Sequence, residues 1–173
     1  MVNVVLEAPA LPGIDEARVW AALSHVLDPE VPVLSVLELG IVRSVSVEHD
    51  QVHVTVTPTY SGCPATEMIQ DAVRSALIEA GAKGVHIELK YAPAWTTDWI
   101  TPQAAEKLRR YGIAPPHPAC DAPQPLRFRP RDLHCPRCNS TSTERLAQFG
   151  STACKALYRC LACREPFDYF KPI

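Results

Sequence analysis

The sequence predicts an α+β domain followed by a small metal-bound β module. Three observations carry that prediction. Alternating apolar and polar stretches recur among stretches with apolar residues at helical spacing, up to about residue 112. A proline-dense stretch follows. Two Cys-x2-Cys pairs, Cys135–Cys138 and Cys160–Cys163, then sit near the end of the chain. The expected division is an α+β domain over 14–112, a Pro-rich linker over 113–133 and a four-Cys zinc ribbon over 134–173.

Taken in order, residues 1–13 hold Pro9 and Pro12 and form a loose lead-in. Asp15 is a natural N-cap for a helix through Leu27, with Val19, Ala22, Leu23, Val26 and Leu27 on one face. Asp28-Pro29 stops it. Asp28 and Glu30 then stand in a rigid, proline-flanked loop, where two carboxylates ordinarily serve as solvated charge. Ile41 to Val47 alternates as a strand, Asp50-Gln51 turns, and Val52 to Thr57 returns, a hairpin. A second helix runs to Ala80 and stops at Gly81. Val85 to Tyr91 supplies a third strand. His53 and His86 occupy the polar phase of their strands and are expected to face solvent. Trp95 and Trp99 precede a third helix, with Thr101 as N-cap, Pro102 at the first position and Gly112 as stop. Trp95 and Trp99 are read first as core-capping residues. The helices are expected to cover one face of a small three-stranded sheet.

The stretch Thr57-Pro58-Thr59-Tyr60-Ser61-Gly62-Cys63-Pro64 joins the second strand to the second helix. Pro64 suits the first helical position, which places Cys63 at or near the N-cap. The amides and dipole there lower a thiol pKa, so Cys63 is expected as a thiolate. A core cysteine, a nucleophile and a metal ligand remain three readings of that position. No histidine lies close behind it, and the six His are scattered, so no nucleophile–base arrangement is visible.

Residues 113–133 hold six prolines and Cys120, and should be extended. Beyond them, the two Cys-x2-Cys knuckles are separated by 21 residues, enough for a hairpin. Each knuckle puts two thiolates on one tight turn, and the pair makes a tetrahedral sulfur set that zinc favours. An iron–sulfur cluster can use the same four cysteines. A module this small cannot hold together on its own core, and metal offsets that deficit. Cys154 is a fifth cysteine nearby. It is either a core residue or an extra, labile ligand of the ribbon.

Composition narrows the classes. Hydrophobic residues are 47% of the chain and the net charge is -2. No apolar run approaches the roughly 18 residues of a membrane helix, so a soluble, cytoplasmic protein without membrane contact is expected. The reducing compartment favours metal binding over disulfides. The first 112 residues carry 8 basic and 14 acidic side chains; the remainder carry 9 and 5. Arg127, Arg129, Arg131, Arg137, Arg145, Lys155 and Arg159 give an alternative reading as a zinc-ribbon nucleic-acid-binding protein. A pI near 6.3 and the lack of a continuous basic stripe weigh against it.

Three motifs in order, Asp28-Pro29-Glu30-Val31-Pro32-Val33, Leu39-Gly40-Ile41-Val42 and Thr57 to Pro64, resemble the SufT-like iron–sulfur assembly family over roughly 15–112. The tail, with Cys-Pro-Arg-Cys, Phe149-Gly150-Ser151-Thr152-Ala153-Cys154-Lys155 and Glu165-Pro166-Phe167-Asp168-Tyr169-Phe170-Lys171, resembles the PaaD family, the D component of bacterial phenylacetate degradation. The resemblance implies a non-catalytic accessory protein that matures or inserts the iron–sulfur or iron centre of the phenylacetyl-CoA epoxidase system. The implied client is its reductase or oxygenase component. By the same resemblance, Cys63 is a transient iron or cluster ligand, Asp28 and Glu30 are its supporting acidic loop, and the ribbon holds structural zinc. One thiol is too few for a stable cluster, which favours transfer, or a cluster shared across a homodimer.

Overall fold

The computed structural model describes residues 13–116 and 133–173. The lead-in before Gly13, most of the linker with Cys120, and Arg127, Arg129 and Arg131 lie outside the described residues. Helix α1 spans Glu16–Leu23, strands β1 and β2 span Val42–Glu48 and Gln51–Val56, helix α2 spans Thr66–Glu79, and β3 spans Gly84–Leu89. A short 3-10 turn, Thr97–Trp99, leads into α3, Pro102–Tyr111. Strands β4 (Ile113–Ala114), β5 (Thr143–Ala147), β6 (Lys155–Cys160) and β7 (Pro166–Phe170) complete the chain. No described helix is long and apolar enough to cross a membrane.

The first sheet has the order β1-β2-β3. His49 and Asp50 both take positive φ, 51° and 63°, the paired left-handed conformation of a tight two-residue hairpin turn. β1 and β2 are antiparallel, whereas β3 runs parallel to β2, because α2 carries the chain back across the sheet. Period two puts Val52, Val54 and Val56 on the inner face, each at most 1% exposed. Val19 and Leu23 of α1 and Ile69, Val73 and Leu77 of α2 join them in one core. His53 and His86 are exposed neighbours on the outer face, as expected.

Asp15 caps α1, its carboxylate accepting from the Arg18 amide at 2.8 Å. The helix ends at Leu23 rather than Leu27. A local antiparallel pairing competes for the next residues: Val36 N–H donates to Val26 O, and Asp28 N–H to Leu34 O, both at 2.9 Å. Leu27 is left 51% exposed. Gly40 turns the chain into β1 at φ +67°, and a Cβ there would meet Trp99 Cβ at 2.7 Å. Only glycine satisfies both the angle and the packing. Trp95 is a core residue, its indole N–H donating to Leu39 O at 2.8 Å. The Arg43 guanidinium lies 3.5 Å over the Trp99 ring.

The second sheet has the order β4-β7-β6-β5. Ile113 and Ala114, placed by sequence at the head of the linker, are instead a strand parallel to β7. The first module therefore runs directly into an edge of the second sheet. The contact continues inside: Cys154 and Phe170 belong to the same buried cluster as the core of the first module. The Trp95 and Phe170 rings lie 6.2 Å apart. A separate cluster, including Leu133, Cys135, Cys160 and Phe167, supports the knuckles.

Candidate metal centre and the cleft around Cys63

The two knuckles are built alike. In each, the residue after the second cysteine, Asn139 or Arg164, takes a positive φ that folds the turn back (62° and 68°). Cys135 N–H bonds to Ser140 O, and Cys160 N–H to Glu165 O. The four sulfurs, Cys135, Cys138, Cys160 and Cys163, all lie within 4.8 Å of one another. The Cys135–Cys163 separation is 3.8 Å and the Cys138–Cys160 separation 3.5 Å. Tetrahedral zinc with Zn–S of about 2.3 Å needs sulfurs about 3.8 Å apart, and these two separations lie close to that spacing. The Cys163 amide, donating toward Cys160 Sγ at 3.5 Å, lowers that thiol, while the crowding ribbon sulfurs raise Cys163; a bound cation would relieve that repulsion. Cys154 is not in this group.

Cys154 lies instead in the second feature, a cleft between the modules. Asp28, Glu30 and Cys63 line it from the first module, and Cys154 and Phe170 from the second. Its volume is about 10 Å³. The acidic loop is fixed by Asp28, whose Oδ1 accepts from the amides of Glu30 and Val31, both at 2.8 Å. Cys63 sits on successive turns, its N–H bonding to Tyr60 O and its carbonyl accepting from Thr66 N–H, both at 3.2 Å. Glu30 reaches the second module directly. Its carboxylate Oε2 is 3.7 Å from Cys154 Sγ, and its carbonyl accepts from Lys155 Nζ at 3.1 Å. Thr152 Oγ1 is 3.1 Å from Cys154 Sγ.

Two sequence expectations fail here. The α2 N-cap is Ala65 and the helix begins at Thr66, so Pro64 is not its first residue and Cys63 stands ahead of the cap. The thiol is also not depressed. Burial pushes the Cys63 pKa up, and the nearby Glu30 and Asp28 charges add to the rise, with the Ala65 amide and Tyr60 hydroxyl opposing. Burial and the facing thiol and carboxylate push Tyr60 up to about 12. Burial likewise raises Cys154, Asp28 and Glu30. The cleft is a place where negative charge is held at a cost.

That cost has a sign that can be measured. Asp28 binds its proton more tightly folded than unfolded, so its contribution to stability falls as pH rises from about 4 toward the raised folded value. Asp28→Asn keeps an oxygen for the two amides and removes the charge, which also relieves Glu30. In iron-free, zinc-loaded protein the variant should gain stability relative to wild type as pH rises from about 4 to 7. Urea midpoints across that range check it, and an unchanged difference would contradict a raised Asp28.

Sequence motifs single out Cys63, Asp28 and Glu30, and the structure brings all three to one cleft. The reading of Cys154 as an extra ribbon ligand is corrected: it is buried, and its sulfur faces Glu30 rather than the four ribbon sulfurs. Tyr60 and Lys155 fall within the quoted motifs, but the sequence gives neither of them a role in this network. Lys155 is 5% exposed and 3.7 Å from Asp168, yet nothing in the local pattern Lys155-Ala156-Leu157 distinguishes it from a surface lysine. The nucleic-acid reading loses support from the same facts. Lys155 is buried, Arg159 is paired with Glu144, and Arg145 bonds Gln148. A larger cleft, about 550 Å³, lies between α3 and the first knuckle, lined by Ala105, Arg109, Leu133 and Cys135 among others.

Comparison with known proteins accounts for both modules. Residues 16–89 match the family described as iron-sulfur cluster assembly protein. Residues 119–171 match the PaaD zinc beta ribbon domain. The D component of a putative 1,2-phenylacetyl-CoA epoxidase from Escherichia coli is 52% identical over 90% of this chain and 92% of its own length. An Fe-S protein maturation auxiliary factor from Porphyromonas gingivalis is 40% identical over 54% of this chain and 90% of its own. A solved domain of unknown function from Bacillus anthracis superposes with a TM-score of 0.50 at 25% identity, over 54% of this chain and 90% of that one. With the assembly domain joined to the ribbon and a relative matched over almost its whole length, the chain belongs to the PaaD family.

Proposed function

We propose that the chain is a non-catalytic accessory protein of phenylacetate degradation that hands iron, or a nascent iron–sulfur cluster, to a component of the phenylacetyl-CoA epoxidase system. The client is its reductase or oxygenase component. Family membership supports the pathway, and the relatives named as maturation factors support the iron–sulfur role. The observation that carries the reading is Cys63 in a cleft with two carboxylates. Thiolate and carboxylate are iron-binding donors. No described histidine lines the cleft, so Cys63 lacks the imidazole partner that most often activates a cysteine nucleophile.

The ribbon's own four sulfurs complete a zinc site, which leaves Cys63 free for cargo. A second copy of the chain is a further partner that this reading allows, since two half-sites can share a cluster. The test is the client's composition. Purified from a strain lacking this chain, the client should be short of iron, and of acid-labile sulfide where its centre is an iron–sulfur cluster, and restoring the chain should restore what is missing. A client fully loaded in its absence would end the proposal.

A further inference from the structure

The cleft takes its polar groups from residues more than a hundred positions apart. Glu30 and Cys154 are 124 residues apart in sequence, yet Oε2 and Sγ are 3.7 Å apart. The geometry points to a metal site shared between the two modules, in which Cys63 and Cys154 are thiolate ligands and Glu30 a carboxylate ligand of one thiophilic divalent ion. The inference rests on the iron-handling role proposed above and deepens it: the cargo is a single ion, Fe²⁺, and the ribbon supplies part of its site.

Four features support it. First, Cys154 is 3% exposed but does not sit among hydrocarbon alone: Thr152 Oγ1 and Glu30 Oε2 are its near neighbours. Second, the cleft is unbalanced in charge. Asp28 is 6% exposed, and its Oδ2 takes no hydrogen bond from a described residue. Lys155, the cation beside the cleft, is shared with Asp168. Buried anions call for a counter-charge, and a divalent ion supplies it. Third, the free space in the cleft, about 10 Å³, is on the scale of one water or one ion. Fourth, two thiols beside a carboxylate select a thiophilic ion over magnesium or calcium.

The donor atoms are more widely set than those of the ribbon. The four ribbon sulfurs are the described group that meets the 4.8 Å spacing, and the cleft set does not. A site that must draw its ligands together binds more weakly than one already in place, which suits release to a client. Binding displaces one proton from each thiol to solvent, forms two metal–sulfur bonds and one metal–oxygen bond, and changes no oxidation state.

The test uses full-length, zinc-loaded protein titrated anaerobically with Co²⁺ alone. Wild type should bind one Co²⁺ per chain with a thiolate-to-metal charge-transfer band, while its zinc content stays constant. Cys63→Ser and Cys154→Ser should each weaken binding by more than about 100-fold, the upper end of what losing an outer-shell partner costs. Wild-type affinity and band intensity in Cys154→Ser, with Cys63→Ser impaired, would overturn the shared site and leave the functional reading standing. No Co²⁺ bound by wild type overturns it too, and the composition of the client then judges the functional reading separately. Should a serine variant fail to fold, X-ray absorption of the Co²⁺-loaded wild type counts the ligands of the added ion. Two sulfurs support the shared site; one sulfur or none refutes it.

Discussion

Cys63→Ala should leave the client protein without its iron–sulfur centre while the chain itself stays folded and keeps its zinc. Cys63 is half-buried on a turn held by its backbone, to Tyr60 O and from Thr66 N–H, and its sulfur adds only contacts with the Ala65 amide and the Tyr60 hydroxyl. Truncation to alanine therefore costs the fold about 1 kcal/mol, an ordinary single-mutant effect. On the proposed role of Cys63 the functional loss should be near complete, because the thiol would bond the cargo directly rather than support the residue that does. It leaves Glu30 and Asp28 facing a site without its sulfur. Iron and acid-labile sulfide per client, purified from a strain carrying the variant, should match the strain lacking the chain altogether. Wild-type loading with Cys63→Ala would remove Cys63 from the mechanism.

Stripping the ribbon's zinc, by chelator or by Cys160→Ser, should unfold β5–β7 and also weaken the assembly domain. Structural zinc in small zinc-finger peptides contributes about 10–16 kcal/mol of binding free energy that doubles as folding free energy. The core under the knuckles is too small to replace it. The damage spreads because Phe170, 1% exposed, packs in the first module's core beside Trp95. Withdrawing it resembles truncating a buried Phe, about 3–5 kcal/mol. For a chain of this size that corresponds to a fall of about 10 °C in Tm. Hydrogen exchange should show β5–β7 unprotected, and the Trp95 emission should shift to the red. A zinc-free protein with unchanged Tm and unchanged emission would show that the modules do not depend on each other.

The two predictions differ in how far sequence alone leads to them. The ribbon site is legible because its information is local: each Cys-x2-Cys pair is one turn, and two such turns joined by a hairpin-length segment leave few other uses for four sulfurs. The same holds for the hairpin and for the capped helices, where Asp15 and Thr101 sit at their helix starts with side chains bonded as expected. The end of α1 is not legible. Apolar periodicity continues to Leu27, but pairing with residues 34–36 outcompetes the helix, and that partner is invisible in the helix's own sequence.

The chain by itself determined an α+β module, a four-cysteine zinc ribbon, and the motif residues Asp28, Glu30 and Cys63. Only the tertiary structure decided what surrounds Cys63. Its thiol is raised rather than lowered because desolvation and two carboxylates outweigh one backbone amide and a tyrosine hydroxyl. The second thiol of its cleft is Cys154, which sequence places only as a core residue or an extra ligand of the ribbon. Burial and charge at a site depend on residues brought together from across the chain. A pattern read along a few positions cannot carry that information, and here the deciding contact, Glu30 to Cys154, spans 124 residues.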